Sequence, residues 1–260
     1  MNLDIKDYEA VRKQLFIKVS SVGKILYAQQ DIPYERRENL AITAHVLLQQ
    51  KEEHPVSADV TNPMLEAFGI TKDQLFRDAA ANSSRIFPAQ ITDMNKLMAE
   101  LCMDMMPEEE KAEMTAEELQ QILDDLETTA DTRYPMLVIT NERKSEGAAA
   151  IFYPGVMDQV GRQMKGNYYI LPSSIHETIV VPDDGNTKRQ DLEAMVKAVN
   201  QNQVAPEERL ANSVYHYDTK NKVFELAESF EKRLKNQQLS KGDHKKPENQ
   251  ENKKHKGLSF

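Results

Sequence analysis

Apolar residues recur at spacings of three and four between Tyr8 and Tyr27, at Val11, Leu15, Val19, Val22 and Leu26. That period predicts one amphipathic helix with Gly23 as its weak point. Beyond Ile32-Pro33 the texture changes. The run from Leu40 to Leu48 is short and contains Ile, Thr and Val, and Val56 to Val60 alternates apolar with polar. Two strands joined by a polar loop are expected, although the first run also fits a helix. Asn62-Pro63 and Thr71 to Gln74 read as helix starts, the first capped by Asn62 and the second by a capping box. The second helix is expected through Ser84, with Leu75, Phe76, Ala79 and Ala80 inward and Pro88 beyond its end.

From Asp104 to Asp131 carboxylates dominate and Lys111 is the only base. Thr115 to Glu118 forms another capping box, and Leu119, Ile122, Leu123 and Leu126 make one narrow apolar stripe on an otherwise negative helix. Such a helix connects two parts of the body and lays its stripe on it, or offers the stripe to a partner. After Arg133 strands are expected at Met136–Thr140, Ala148–Tyr153, Tyr168–Leu171 and Ile175–Val181. A helix opened by Pro154-Gly155 lies between the second and third. A helix over Asp191–Val199 and a hairpin of Val214–Tyr217 with Val223–Leu226 follow. Leu226, Phe230 and Leu234 would share a helical face in a terminal helix running to about Leu239.

Composition changes the picture in three ways. With 40% apolar and 29% charged residues over 260 positions, the chain can bury a core without staples. Cys102 is the single cysteine, so no internal disulfide forms, which favours a reducing cytoplasm; its apolar neighbours suggest a buried thiol. No segment has the roughly 20 apolar residues of a membrane span, and no signal peptide is evident. The net charge of −9 is unevenly spread, because residues 232–260 hold nine Lys and Arg against Asp243, Glu248 and Glu251. An acidic body disfavours nucleic acid and anionic lipid. Residues 237–256 contain Leu239 as their lone aliphatic residue and are expected to be a disordered basic tail.

The most chemically loaded stretch is Leu171-Pro-Ser-Ser-Ile-His-Glu-Thr178, where Ser173, Ser174, His176 and Glu177 are the weak catalytic candidates. Nucleophilic catalysis needs a base in reach of the hydroxyl and a third group to orient that base. In a strand Ser174 and His176 share a face while Glu177 points away, so the trio does not assemble a triad alone. A tight turn and a polar binding site are the other readings. His176 has no second histidine four residues on, the glycines match neither a dinucleotide fingerprint nor a phosphate loop, and Asp183 to Asn186 reads as a turn leading to a cap at Thr187. No metal and no cofactor are expected.

Several phrases together resemble an intracellular bacterial family, domain of unknown function 5688. They are Leu40-Ala-Ile, Val60 to Leu65, Phe68 to Phe76 with Ala81-Asn82, Ile139 to Glu142 with Gly147-Ala-Ala, and above all Tyr169 to Glu177. Met195 to Asn200 with Val204 to Glu208 extends the likeness, which covers roughly residues 5 to 227. The resemblance implies no activity and no catalytic residues; it implies a longer N-terminal part before Asp4 in other members, so that this chain is shortened.

The fold expected is α+β. A mostly antiparallel sheet carries helices on one face, in a single domain over residues 5–228 that includes the acidic helical segment 104–131. A helical extension and tail follow over 229–260. The function expected is a non-enzymatic binding or regulatory protein, with a hydrolase at 173–177 as the alternative. A protein partner would use the acidic helix or the basic tail, and neither membrane nor nucleic acid is expected as a partner.

Overall fold

The computed structural model describes residues 7–28, 31–50, 55–129, 135–172 and 174–243. The chain is α+β, with two antiparallel sheets. The helix expected from Tyr8 to Tyr27 is instead three elements, α1 (Tyr8–Arg12), β1 (Leu15–Ser21) and α2 (Val22–Ala28). Leu15 and Val19 suit a period of two as well as one of four, and the buried Ile17 between them decides for the strand. Pairing along the whole of β3 (Leu40–Gln49) fixes it there. Leu26 and Tyr27, at the end of the expected helix, are exposed.

β3 is the spine of the first sheet. β1 lies on one side, and β2 (Tyr34–Arg37) and β4 (Val56–Asp59) lie end to end on the other. Leu40 to Leu47 is buried on both faces, which explains its continuous apolar run. Then α3 (Asn62–Phe68) starts from Thr61 rather than Asn62, whose side chain donates to Asp31 instead. α4 (Lys72–Ile86) is capped by Thr71 and runs two residues past Ser84, burying Leu75, Phe76 and Ala79. It also closes the free edge of β1. The buried Ser83 hydroxyl accepts from Ile17 N–H at 2.9 Å and donates to the Ala79 carbonyl at 2.7 Å. The Asn82 amide donates to the carbonyls of Lys13 and Leu15 at 2.9 and 2.7 Å. The edge amide of Ile17 and the edge carbonyl of Leu15 are thereby satisfied within the chain.

The second sheet has six strands. β5 (Ala89–Asp93), missed in the sequence, pairs with β6 (Leu137–Asn141), and between them run α5 (Met94–Met105), α6 (Glu108–Glu113) and α7 (Ala116–Thr129). The Thr115–Glu118 capping box is complete, each residue's side chain accepting from the other's backbone N–H. Leu119 and Ile122 are half-buried and α7 packs against α5; the side chains of Leu123 and Leu126 lie outside those described. Cys102, expected to be buried, is exposed on α5.

Gly147–Phe152 is a 3-10 turn, not the expected strand. β6 already has a neighbour on each side, so no ladder is open to it. Its small alanines are fully buried instead. Then come α8 (Val156–Met164), β7 (Tyr168–Leu171), β8 (Thr178–Pro182), α9 (Arg189–Asn202), the hairpin of β9 (Tyr215–Asp218) and β10 (Val223–Leu226), and α10 (Ala227–Asp243). The strand order is β10-β9-β7-β8-β6-β5. The turn before α9 is tied by Asp184, whose carboxylate accepts from Asn186 and Thr187 N–H, and Lys188 rather than Thr187 occupies the cap position.

One core lies between the two sheets, drawing Ile17 and Ile42 from the first, Ile139, Tyr168 and Tyr215 from the second, and the alanines of the 3-10 turn. On the other face of the second sheet, Leu192 and Val196 of α9 pack on Tyr169, Leu171 and Val181. Phe230 of α10 stacks on the buried His216 ring, and Arg233 pairs with Asp218 and Glu225. The segment expected to be a disordered tail lies, from 244 to 260, outside the described residues. No helix of the described residues is long and apolar enough to cross a membrane, and no group of three or more His, Cys, Asp or Glu among them could hold a metal ion.

Candidate functional site

The segment from Leu171 to Thr178 connects β7 to β8, and its polar groups turn inward on the backbone. Ser173 lies outside the described residues. Ser174 is buried, forms a bridge with Arg209, and its hydroxyl accepts from His176 N–H at 2.9 Å. The His176 ring bridges two other segments. Its Nδ1 accepts from Glu146 N–H at 3.2 Å, and its Nε2 faces the Glu208 carboxylate at 3.2 Å. The backbone donor at Nδ1 leaves the ring proton on Nε2, directed at Glu208. Neither ring nitrogen is then free to take a proton from Ser174. The Glu177 carboxyl is pushed above the usual range by burial, against the opposing pull of His176 and a hydrogen bond with Ser174. It lines a cavity of about 430 Å³ under α5, together with Thr140, Lys96 and Lys144. Ser174, His176 and Glu177 are therefore brought close, with the Ser174 hydroxyl against the Glu177 carboxyl and not against the imidazole, so no hydroxyl–imidazole–carboxylate relay is formed.

A different trio does have that connectivity. On the outer face of β3, Thr43 Oγ1 lies 2.8 Å from His45 Nε2, and His45 Nδ1 lies 3.0 Å from Asp59 Oδ1 on β4. Strand register makes it, setting His45 opposite Asp59. The sequence signal was Thr43-Ala-His45 at a period of two, but pairing with Asp59 is visible only once the register is known. Burial lowers the His45 pKa, and the His45 hydrogen bond lowers that of Asp59, so a neutral ring donates from Nδ1 and accepts the threonine hydroxyl at Nε2. Thr43 is only 4% exposed, which closes its hydroxyl to a substrate carbonyl. The trio is a satisfied polar network inside the fold.

A roomier concave surface than the cavity beside Glu177 lies elsewhere. A cleft of about 690 Å³ opens where the two sheets meet. Its floor is apolar, from Ile17 and Ile42 of the first sheet, Phe76 of α4, and Ile151 and Phe152 of the 3-10 turn. Phe224 of β10 closes one wall, stacked on Tyr215 and edge-on to Phe152. The rim is cationic. Arg37, Arg77 and Lys222 stand around it, with Glu35 beside Arg37 and Asp158 against Lys222. Arg37 pairs with Glu35 at 3.1 Å, and Lys222 pairs with Asp158 at 2.7 Å. Arg77 is exposed at the mouth and makes no ion pair among the described residues. Arg77 is thus the excess positive charge at the mouth, a local attraction for anions on a chain of net charge −9. Sequence reading missed this site because its lining comes from five separated stretches, each explained locally as core.

A family model described as "Family of unknown function (DUF5688)" matches residues 1–219. The match stops at the turn of the β9–β10 hairpin, so β10 and α10 lie beyond it. No curated protein and no solved structure matches the chain.

Proposed function

We propose that this chain, which belongs to the family of unknown function DUF5688, is a non-enzymatic binding protein whose ligand enters the cleft between its two sheets. The observation that carries this reading is the pairing of an apolar floor with the exposed Arg77 at the mouth, which has no ion pair among the described residues. A cavity of 300 to 1,000 Å³ lined mainly by apolar groups, with a few polar ones to fix orientation, is the usual form of a small-molecule site. The ligand best suited is an amphipathic anion, with an aliphatic or aromatic body on the floor and a carboxylate or phosphate at Arg77. Sequestration by burial needs no nucleophile, in keeping with the occupied ring nitrogens of His176 and the closed hydroxyl of Thr43.

The test compares decanoate with decanol and with acetate by isothermal titration. Decanoate is expected to bind at least tenfold tighter than either, because each control lacks one half of the complementarity. Arg77→Glu should remove that preference while leaving the melting temperature unchanged, since Arg77 is exposed and makes no hydrogen bond or ion pair among the described residues. Equal binding of decanoate to wild type and Arg77→Glu, or no binding of any of the three, would overturn the assignment.

A further inference from the structure

The α5–α7 excursion carries a second surface, independent of the cleft. Along α5, Met98, Leu101 and Met105 are 51, 45 and 85% exposed, and Cys102 is exposed beside them. These positions fall at i, i+3, i+4 and i+7, so they form one continuous stripe of flexible, polarisable side chains. The opposite side of α5 is already used, with Ala99 buried and Leu97 turned to the second sheet. α7 packs along α5 without covering the stripe. A face of this kind on a folded chain marks an interaction site.

What covers it follows from the charge around it. Residues 94–129 carry eleven carboxylates against Lys96 and Lys111, and Lys111 is taken up by Glu108 at 2.8 Å. A second copy would bring the same carboxylates together, and an anionic lipid surface would be repelled. We infer that the α5 stripe docks a cationic amphipathic helix of a partner protein, apolar face on Met98, Leu101 and Met105, with Lys or Arg set against the surrounding carboxylates. Recognition by an apolar seam flanked by opposite charge is the helix-in-groove mode, and methionine lets such a surface accept differing side chains.

The chain supplies its own reporter, because Cys102 is its only cysteine and lies within the stripe. The full chain is titrated with a 20-residue helix-forming peptide bearing Leu on one face and Lys on the other. A scrambled peptide of the same composition and a peptide of residues 241–260 serve as comparisons. Binding at low micromolar concentration is expected, with alkylation of Cys102 by iodoacetamide slowed at least tenfold at saturation. The scrambled peptide should bind at least tenfold more weakly. So should the amphipathic peptide to a Met98→Ser/Leu101→Ser/Met105→Ser variant, whose melting temperature stays unchanged because those side chains are exposed. Equal affinity for the scrambled peptide, or binding without protection of Cys102, would overturn the proposal. Protection that rises with protein concentration alone would assign the face to a second copy. Tighter binding of the 241–260 peptide would assign it to the chain's own C-terminal segment. Either result removes the partner helix.

Discussion

Gly147→Ala is the substitution the fold should tolerate least. A Cβ built there falls 2.2 Å from Thr140 Oγ1, 2.6 Å from the Asn141 backbone nitrogen and 2.7 Å from the His176 carbonyl oxygen. Comfortable separations begin at about 3.5 Å, and two of the three neighbours are backbone, so the 3-10 turn must lift away from β6 by about 1 Å. Three hydrogen bonds meet beside it on the β7–β8 connection: Ala148 N–H to the Ile175 carbonyl at 3.0 Å and Glu146 N–H to His176 Nδ1 at 3.2 Å tie the turn region to that connection, and Thr140 Oγ1–H to the His176 carbonyl at 2.8 Å ties β6 to it. Overpacking of this kind costs about 1 to 3 kcal/mol, and each hydrogen bond lost adds about 1 kcal/mol. A total of about 3 to 6 kcal/mol is a large part of the 5 to 15 kcal/mol typical of a folded chain. Urea denaturation followed by circular dichroism reads it as a fall in midpoint of about 1 to 2 M, for a slope near 3 kcal/mol/M. Gly166→Ala is the internal control, because a Cβ there meets nothing within 4 Å and should stay within about 0.5 kcal/mol of wild type. Adding Thr140→Ala to Gly147→Ala relieves one contact of three and should not restore stability. A Gly147→Ala protein that unfolds within 1 kcal/mol of wild type would refute the close approach of the turn to β6.

Ser83→Ala should cost about 1 to 3 kcal/mol in the same assay, since it leaves the buried Ile17 N–H without an acceptor. His176→Ala should cost about 1 to 3 kcal/mol by freeing Glu146 N–H and parting Glu208, and should leave binding of the decanoate probe unchanged; a loss of that binding at unaltered stability would make the residue functional. His45 has a pKa lowered by burial, so the unfolded chain holds the proton more tightly than the folded one. Its contribution is complete above the unfolded value of about 6.5 and is lost as pH falls below it. His45→Gln should therefore flatten the fall in urea midpoint between about pH 7 and pH 5, and an unchanged slope would count against the buried neutral ring.

Much of the fold was legible because local pattern and tertiary demand agreed. The strands at Leu40 to Leu47, Tyr168 to Leu171 and the β9–β10 hairpin fell close to their expected places, as did α4 with its Thr71 cap. Illegible parts were those where one pattern serves two structures. Leu15 and Val19 fit either period, and only pairing with β3 selects the strand. Ala148 to Tyr153 has strand-like composition, yet β6, the strand it packs beside, already has a neighbour on each side. β2 and β5 are short and half-polar, too weak a signal to separate from loop. For the site, the sequence drew attention to hydroxyl, imidazole and carboxylate neighbours at 174–177, but adjacency along the chain says nothing about which atom each one bonds. The Thr43–His45–Asp59 network and the cleft needed a register and a sheet-to-sheet packing that a single sequence does not contain.

β5 and β6 are partners in a ladder whose last pair is Asp93 with Leu137, and Met94 N–H bonds to the Met136 carbonyl at 2.9 Å just beyond it. The chain thus leaves and re-enters the sheet at the same point, as it would in a hairpin. Everything from Met94 to Met136 occupies the position of a turn. Closing a loop roughly ten times longer than a tight turn costs only about 2 kcal/mol in chain entropy. A short turn in its place should preserve the sheet, and an inserted domain at 94–136 should be carried equally well. Change in this segment can therefore alter what the molecule meets without altering whether it folds.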